Sequence, residues 1–146
     1  MKKAVILEFS ELGQKVPIEL DDSHSPKTVR AIIDKLPIRT TINRWGDELY
    51  TDETPVKVEE ENAKSAVSLM DVAYWPEGSA LCFFYGPTPI SSKKQGQILP
   101  YSLVNVIGRM IIIIIITSKP KPANVQAFLK SVEEAHVSKK VPVVLR

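Results

Sequence analysis

The chain has 146 residues, 44% of them hydrophobic and 25% charged, close to the averages of folded globular proteins, which argues against both a disordered chain and a coiled coil. The formal charge of +2 divides unevenly, with 10 Lys/Arg against 15 Asp/Glu in residues 1–92 and 9 against 2 in residues 93–146. The basic residues are scattered and lack the interleaved aromatics of a nucleic-acid stacking platform, so they read as solvated surface.

Cys82 is the single cysteine, which excludes an intrachain disulfide and a cysteine-rich metal site and points to a reducing, cytoplasmic setting; its apolar neighbours predict a buried thiol. Met1-Lys2-Lys3 has the charge of a secretion signal, but Glu8 interrupts the apolar run too early. A spanning helix needs about 20 apolar residues, and the Ile111 to Ile116 run is far shorter, so no membrane partner is expected. The length suits one domain over residues 1–146 that buries about two-thirds of its unfolded surface.

Lys3 to Phe9 and Val16 to Leu20 read as a first strand pair turning at Gly13. Ser25-Pro26 opens a helix in which Val29, Ile32, Ile33 and Leu36 follow at i, i+3, i+4 and i+7, and Pro37 ends it. Ile38 to Tyr50 is extended around Gly46, and Val56 to Val58 and Ala66 to Leu69 read as strands on either side of Glu59-Glu60-Glu61, an acidic run expected in a solvated turn. Val72 to Trp75 and Ala80 to Tyr85 pair about Pro76-Glu77-Gly78. Gly86-Pro87-Thr88-Pro89 then begins a long polar loop to about Pro100.

Val104 to Ile116 carries the strongest strand signal, because six consecutive β-branched residues suit an extended segment covered on both faces. Lys119-Pro120-Lys121-Pro122 is a stiff connector. A second helix buries Val125, Phe128, Leu129 and Val132, and Val141 to Leu145 returns as a last strand with Pro142 near an edge. Many strands with two isolated helices imply a mainly β, closed barrel.

Two long stretches, Ile42-Asn43-Arg44-Trp45-Gly46-Asp47-Glu48-Leu49-Tyr50 and Asp71 through Pro89, together with Val104-Asn105-Val106-Ile107-Gly108-Arg109, resemble the signatures of the small prokaryotic cyclophilin-like proteins. The resemblance runs from about Ala4 to Met110 and implies a closed, eight-stranded antiparallel barrel capped by two helices. It also implies distant kinship with the cyclophilin prolyl isomerases, whose cleft is built from an Arg, a Gln, a Phe and a Met, a Trp and a His. Here Gly78-Ser79-Ala80-Leu81-Cys82 replaces Gly-Ser-Gln-Phe-Phe and Val104 stands in place of the His, leaving Arg44, or Arg39, as the matching cation.

Candidate site residues cluster in two places. Continuous alternation puts Arg44, Glu48 and Tyr50 on one face and Trp45 on the other, unless a bulge at Gly46 changes the register; Arg44 then serves either as a planar cation for a ligand or as the partner of Glu48 in an ion pair. Tyr74, Trp75, Tyr85 and Thr88 accompany the Gly-Pro loop; packing in the core or at the barrel end is the favoured reading of these aromatics and a binding wall the alternative, with Tyr74 and Tyr85 ahead of Trp75 as residues that keep a polar tip in reach of a ligand. His24 and His136 lack a second ligand at metal spacing, and no phosphate loop, nucleophile elbow or zinc signature is present, so neither metal nor cofactor is expected. These residues fit a binding module for a peptide segment or small polar ligand. The alternatives are a peptidyl-prolyl isomerase and a subunit related to the cyclophilin-like domains of urea-amidolyase-type enzymes; no oligomeric state follows.

Overall fold

A computed structural model describes residues 1–91, 96–111, 125–136 and 141–146, with the last four residues of the second helix given by backbone alone. Alternation sets the first hairpin. In β1 (Lys2–Phe9) Val5, Leu7 and Phe9 point inward, and in β2 (Gln14–Asp21) Val16, Ile18 and Leu20 do the same, in register Leu7 to Val16 and Val5 to Ile18. Helix α1 (Pro26–Lys35) buries Thr28, Val29 and Ile32 against the barrel end, with Ile33 and Leu36 packed at the margin.

Strand β3 (Ile38–Trp45) turns through Gly46-Asp47 into β4 (Glu48–Thr51), β5 (Asp71–Trp75) turns through a single 3-10 turn into β6 (Ala80–Phe84), and β7 (Asn105–Met110), α2 (Val125–His136) and β8 (Val141–Leu145) complete the order. Among the described residues eight strands close in the order β1-β2-β7-β5-β6-β4-β3-β8, every pair antiparallel. Closure at β1 and β8 rests on Leu7 to Leu145 and Glu8 to Val144, extended by reciprocal backbone bonds of 2.8 and 3.0 Å between Ile6 and Arg146. Pro142 sits where β8 pairs with β3 but not with β1, so its missing N–H fits that stretch. Gly108 lies where β7 crosses β2 so closely that a Cβ would collide with the Glu19 carbonyl.

Val56 to Val58 and Ala66 to Leu69 do not form strands, contrary to the expectation from their composition. A closed barrel leaves no free edge for them. Val56 and Val58 pack instead on the interior cluster, tied to the Tyr74 hydroxyl, whereas Val67 joins the outer cluster and makes one isolated bridge to Ile98. The predicted strand after Val104 ends at Met110; Ile111 lies beyond it, and the rest of the isoleucine run and the Lys-Pro connector lie outside the described residues. Val125, Phe128, Leu129 and Val132 of α2 are buried, and Phe128 meets the Phe9 ring edge-on at 5.0 Å. Among the described residues no helix is long and apolar enough to cross a membrane.

The outer segments create a second layer. All five residues of β6 are buried: Leu81 and Phe83 belong to the barrel interior, whereas Cys82 and Phe84 face outward under Val67, Ile98 and Val104. A pocket opens beside this outer cluster, with Cys82 and Val104 in its wall.

Candidate functional site

The β3–β4 hairpin determines which side chains meet. Its two-residue turn places Gly46 at φ +61° and pairs Trp45 with Glu48 and Asn43 with Tyr50, so these four share the outer face while Arg44 and its partner Leu49 take the other. The predicted grouping of Arg44 with Glu48 and Tyr50, and of Trp45 apart, is therefore reversed: a two-residue turn pairs the residues flanking it, which continuous alternation through the turn does not anticipate. Gly46 is also irreplaceable sterically, because a Cβ would lie 2.6 Å from Pro89 Cδ. The Pro87 carbonyl accepts from Asp47 N–H at 2.9 Å and locks the Gly-Pro loop on this turn.

Trp45, Glu48 and Tyr50 line a pocket of about 260 Å³ with Trp75, Cys82, Pro100, Tyr101 and Val104. Tyr101, 70% exposed, stands at its mouth and meets both tryptophan rings edge-on, each at 6.0 Å between centroids. The Trp75 ring rests against Gly78, where a Cβ would overlap it, and its Nε1–H donates to Ser102 Oγ at 2.6 Å; Ser102 in turn donates to Glu77 at 2.5 Å. The walls are thus oriented before any ligand arrives.

Glu48 supplies the polar element. It is 4% exposed, shares a hydrogen bond with the Cys82 thiol, and its Oε1 is buried without a hydrogen-bond partner. Burial pushes its pKa from the ordinary 4.5 to about 7, against a smaller opposing effect of the Cys82 bond. Burial, and then the adjacent Glu48 charge, raise the Cys82 thiol well above its ordinary range, so it is a hydrogen-bonding wall rather than a thiolate nucleophile.

The other predicted residues lie elsewhere. Arg44 pairs with Asp47 at 3.1 Å, reaches the Lys130 carbonyl of α2 at 3.5 Å and lies 5.6 Å over the Tyr85 ring; it is neither in the pocket nor an ion partner of Glu48. Tyr74 and Tyr85 are fully buried in the barrel core, the Tyr74 hydroxyl donating to Val56 at 2.7 Å. Thr88 ties its loop to Ser91 and to the Leu99 carbonyl. Trp75 had a legible signal, since Val72 and Tyr74 inward leave Trp75 outward, but Tyr101 lies in an aperiodic loop.

A second cleft, of about 420 Å³ between β2, β5 and β7, is lined by Asp21, His24, Lys64, Asp71 and Arg109, charges of both signs on a wet surface. Its half-buried carboxylate, Asp71, is raised by burial but already accepts from Ser68 N–H at 2.8 Å.

The cyclophilin-like family model matches residues 3–121. Among solved structures, the hypothetical protein AF2241 from Archaeoglobus fulgidus shares 38% identity, with 99% of this chain and 94% of that one covered and a TM-score of 0.72. McbB, in a structure in complex with tryptophan, shares 16% identity over 97% of this chain but 44% of its own, at a TM-score of 0.70, a likeness of fold. No curated protein matches in sequence.

Proposed function

The chain belongs to the cyclophilin-like family, and from that premise we propose that it is a binding module, holding a small, largely apolar ligand or one side chain of a peptide segment between Trp45, Trp75 and Tyr101. The observation that carries this reading is the buried carboxyl group of Glu48, one oxygen without a partner, in a pocket otherwise walled by rings and apolar groups. Buried polar groups are ordinarily satisfied, and an aromatic pocket with one fixed polar group is the common design of small-ligand sites. A cavity of about 260 Å³ is slightly smaller than drug-sized sites, which run from about 300 Å³ upward, so one ring system or one side chain fills it. Cys82 and Val104 line this pocket at the positions where the resemblance places a Phe and the His of the isomerase cleft, so the same outer face is used with different chemistry. The cation that isomerisation would need, Arg44, is engaged by Asp47, Tyr85 and α2 instead.

Both tryptophans of the chain line the pocket, which gives a direct assay. A screen of neutral aromatic and aliphatic fragments, read from the two indole N–H resonances, is expected to find compounds that shift both saturably. Tyr101→Ala, which removes an exposed wall without disturbing the core, is expected to weaken those hits. Fragments that bind only elsewhere, or none that bind, would remove the support for this reading.

A further inference from the structure

The aromatic walls and the single carboxyl group together select for charge. Rings present a negative face, and a cation within about 6 Å of a ring centroid is attracted to it, most strongly to tryptophan. Here two tryptophans flank an exposed tyrosine at the mouth, and among the described lining residues the acidic side chain is Glu48, with no Lys, Arg or His beside it. Asp47, next to Glu48 in sequence, is outside the lining and paired with Arg44, and Glu77, also outside it, accepts from Ser102.

Resting on the binding reading above, we infer that the pocket takes an organic cation, a primary or methylated ammonium group held among the rings of Trp45, Trp75 and Tyr101 with the Glu48 carboxylate as counter-charge. An anion is disfavoured by the same groups. A neutral ligand of equal shape leaves the ionised Glu48 as costly as before, because burying a charge without a partner is penalised and a neighbouring opposite charge relieves that penalty.

The groups facing Glu48 set the pH dependence: Trp45 from β3, Tyr50 from β4, Cys82 from β6, and Tyr101 and Val104 from the covering segment. The Cys82 thiol stays protonated across the neutral range, which leaves Glu48, with its pKa raised by burial to about 7, as the titrating group. A cation prefers the carboxylate, so binding below that pKa releases a proton and affinity climbs with pH until Glu48 is ionised in the free protein.

The test uses choline and its neutral carbon isostere 3,3-dimethylbutan-1-ol as probes of the full chain, read from the two tryptophan indole N–H resonances. Choline is expected to bind at least about tenfold more tightly than the isostere at about pH 8, and to lose up to about tenfold per pH unit below pH 7. Glu48→Gln is expected to abolish both the preference and the pH dependence. Tyr101→Ala, on the surface and harmless to folding, is expected to weaken choline more than the isostere. Equal affinity for the two probes overturns the cation inference and leaves the binding reading standing; a cation preference that survives Glu48→Gln overturns the role of the carboxylate; and choline failing to move either indole overturns the inference whatever the neutral fragments do.

Discussion

Two buried polar groups, Asn105 on β7 and Glu48 on β4, behave in opposite ways. Asn105 is fully satisfied: its Oδ1 accepts from Glu61 N–H at 2.8 Å, and its Nδ2 donates to Thr28 Oγ1 and to the Glu59 carbonyl, both at 3.0 Å. Glu61 then extends the network to the start of α1, accepting from Lys27 N–H, Thr28 N–H and the Thr28 hydroxyl at 3.0, 2.9 and 2.8 Å. Glu48 has the Cys82 thiol and an oxygen with nothing to bond. A polar network that is completely paired rigidifies a fold, whereas one left incomplete costs stability and calls for another explanation. The first joins three segments; the second, set in an aromatic pocket, is the observation on which the proposed binding function rests.

The largest effect should come from breaking the completed network. Asn105→Ala removes three hydrogen bonds, one of them fully buried and two part-buried, so a loss of about 3 kcal/mol is expected, measured by urea denaturation. A loss below about 1 kcal/mol would mean that water or a local shift replaces Asn105.

Glu48 should show the reverse sign and a clear pH signature. Its folded pKa of about 7 lies above the ordinary 4.5, so the folded state keeps the proton longer, and this group's contribution to stability falls as pH rises from about 4.5 to 7 and is constant above. The window corresponds to at most about 3 kcal/mol. Because other carboxylates titrate too, the informative quantity is the difference between Glu48→Gln and the parent, which should grow in favour of the variant across that window. A flat difference would place Glu48 in contact with water.

Glu61 sharpens the comparison from the satisfied side. Burial acts to raise its pKa, but the bonds from Thr28 and Lys27 outweigh it and hold the carboxyl below its ordinary value. Its contribution is thus present above the ordinary carboxylate pKa and lost as pH falls through the lowered one, opposite to Glu48. Glu61→Ala should cost about 1 kcal/mol, the usual worth of a helix cap, with circular dichroism melting as the readout. The smallest effect belongs to Arg44→Ala: in a protease-coupled proline-peptide assay, parent and variant should both run at the uncatalysed rate, and the fragment-induced indole shifts should persist. Isomerisation at the level of an ordinary cyclophilin, lost with Arg44, would reverse the functional reading.

Much of the architecture was legible because it is local. Period-two burial in Val5, Leu7 and Phe9, period-3.6 burial in Val29 and Ile32, and the apolar face of α2 follow from backbone geometry that each segment carries with it. The buried thiol of Cys82 was equally visible, from its neighbours. The acidic run was not: Glu61 belongs to a cap on a helix more than 30 residues away, and no spacing reveals that.

The candidate site divides along the same line. Trp45, Glu48 and Tyr50 were recognisable as a cluster because they share one hairpin, yet which of its residues face together depended on the two-residue turn that pairs Trp45 with Glu48 and sends Arg44 to the opposite side. Trp75, Cys82, Pro100, Tyr101 and Val104 join them from three other stretches of chain only because β6 lies beside β4 and the covering segment folds over both. Sequence by itself determined the barrel strands, the two helices and the chemistry available, but not the fate of Val56 to Val58 and Ala66 to Leu69. Barrel closure decided the rest, since hydrogen bonding every strand on both sides denied Val56 to Val58 a sheet edge, laid Pro100, Tyr101 and Val104 over the outer face, and left Glu48 beneath them with one oxygen unmatched.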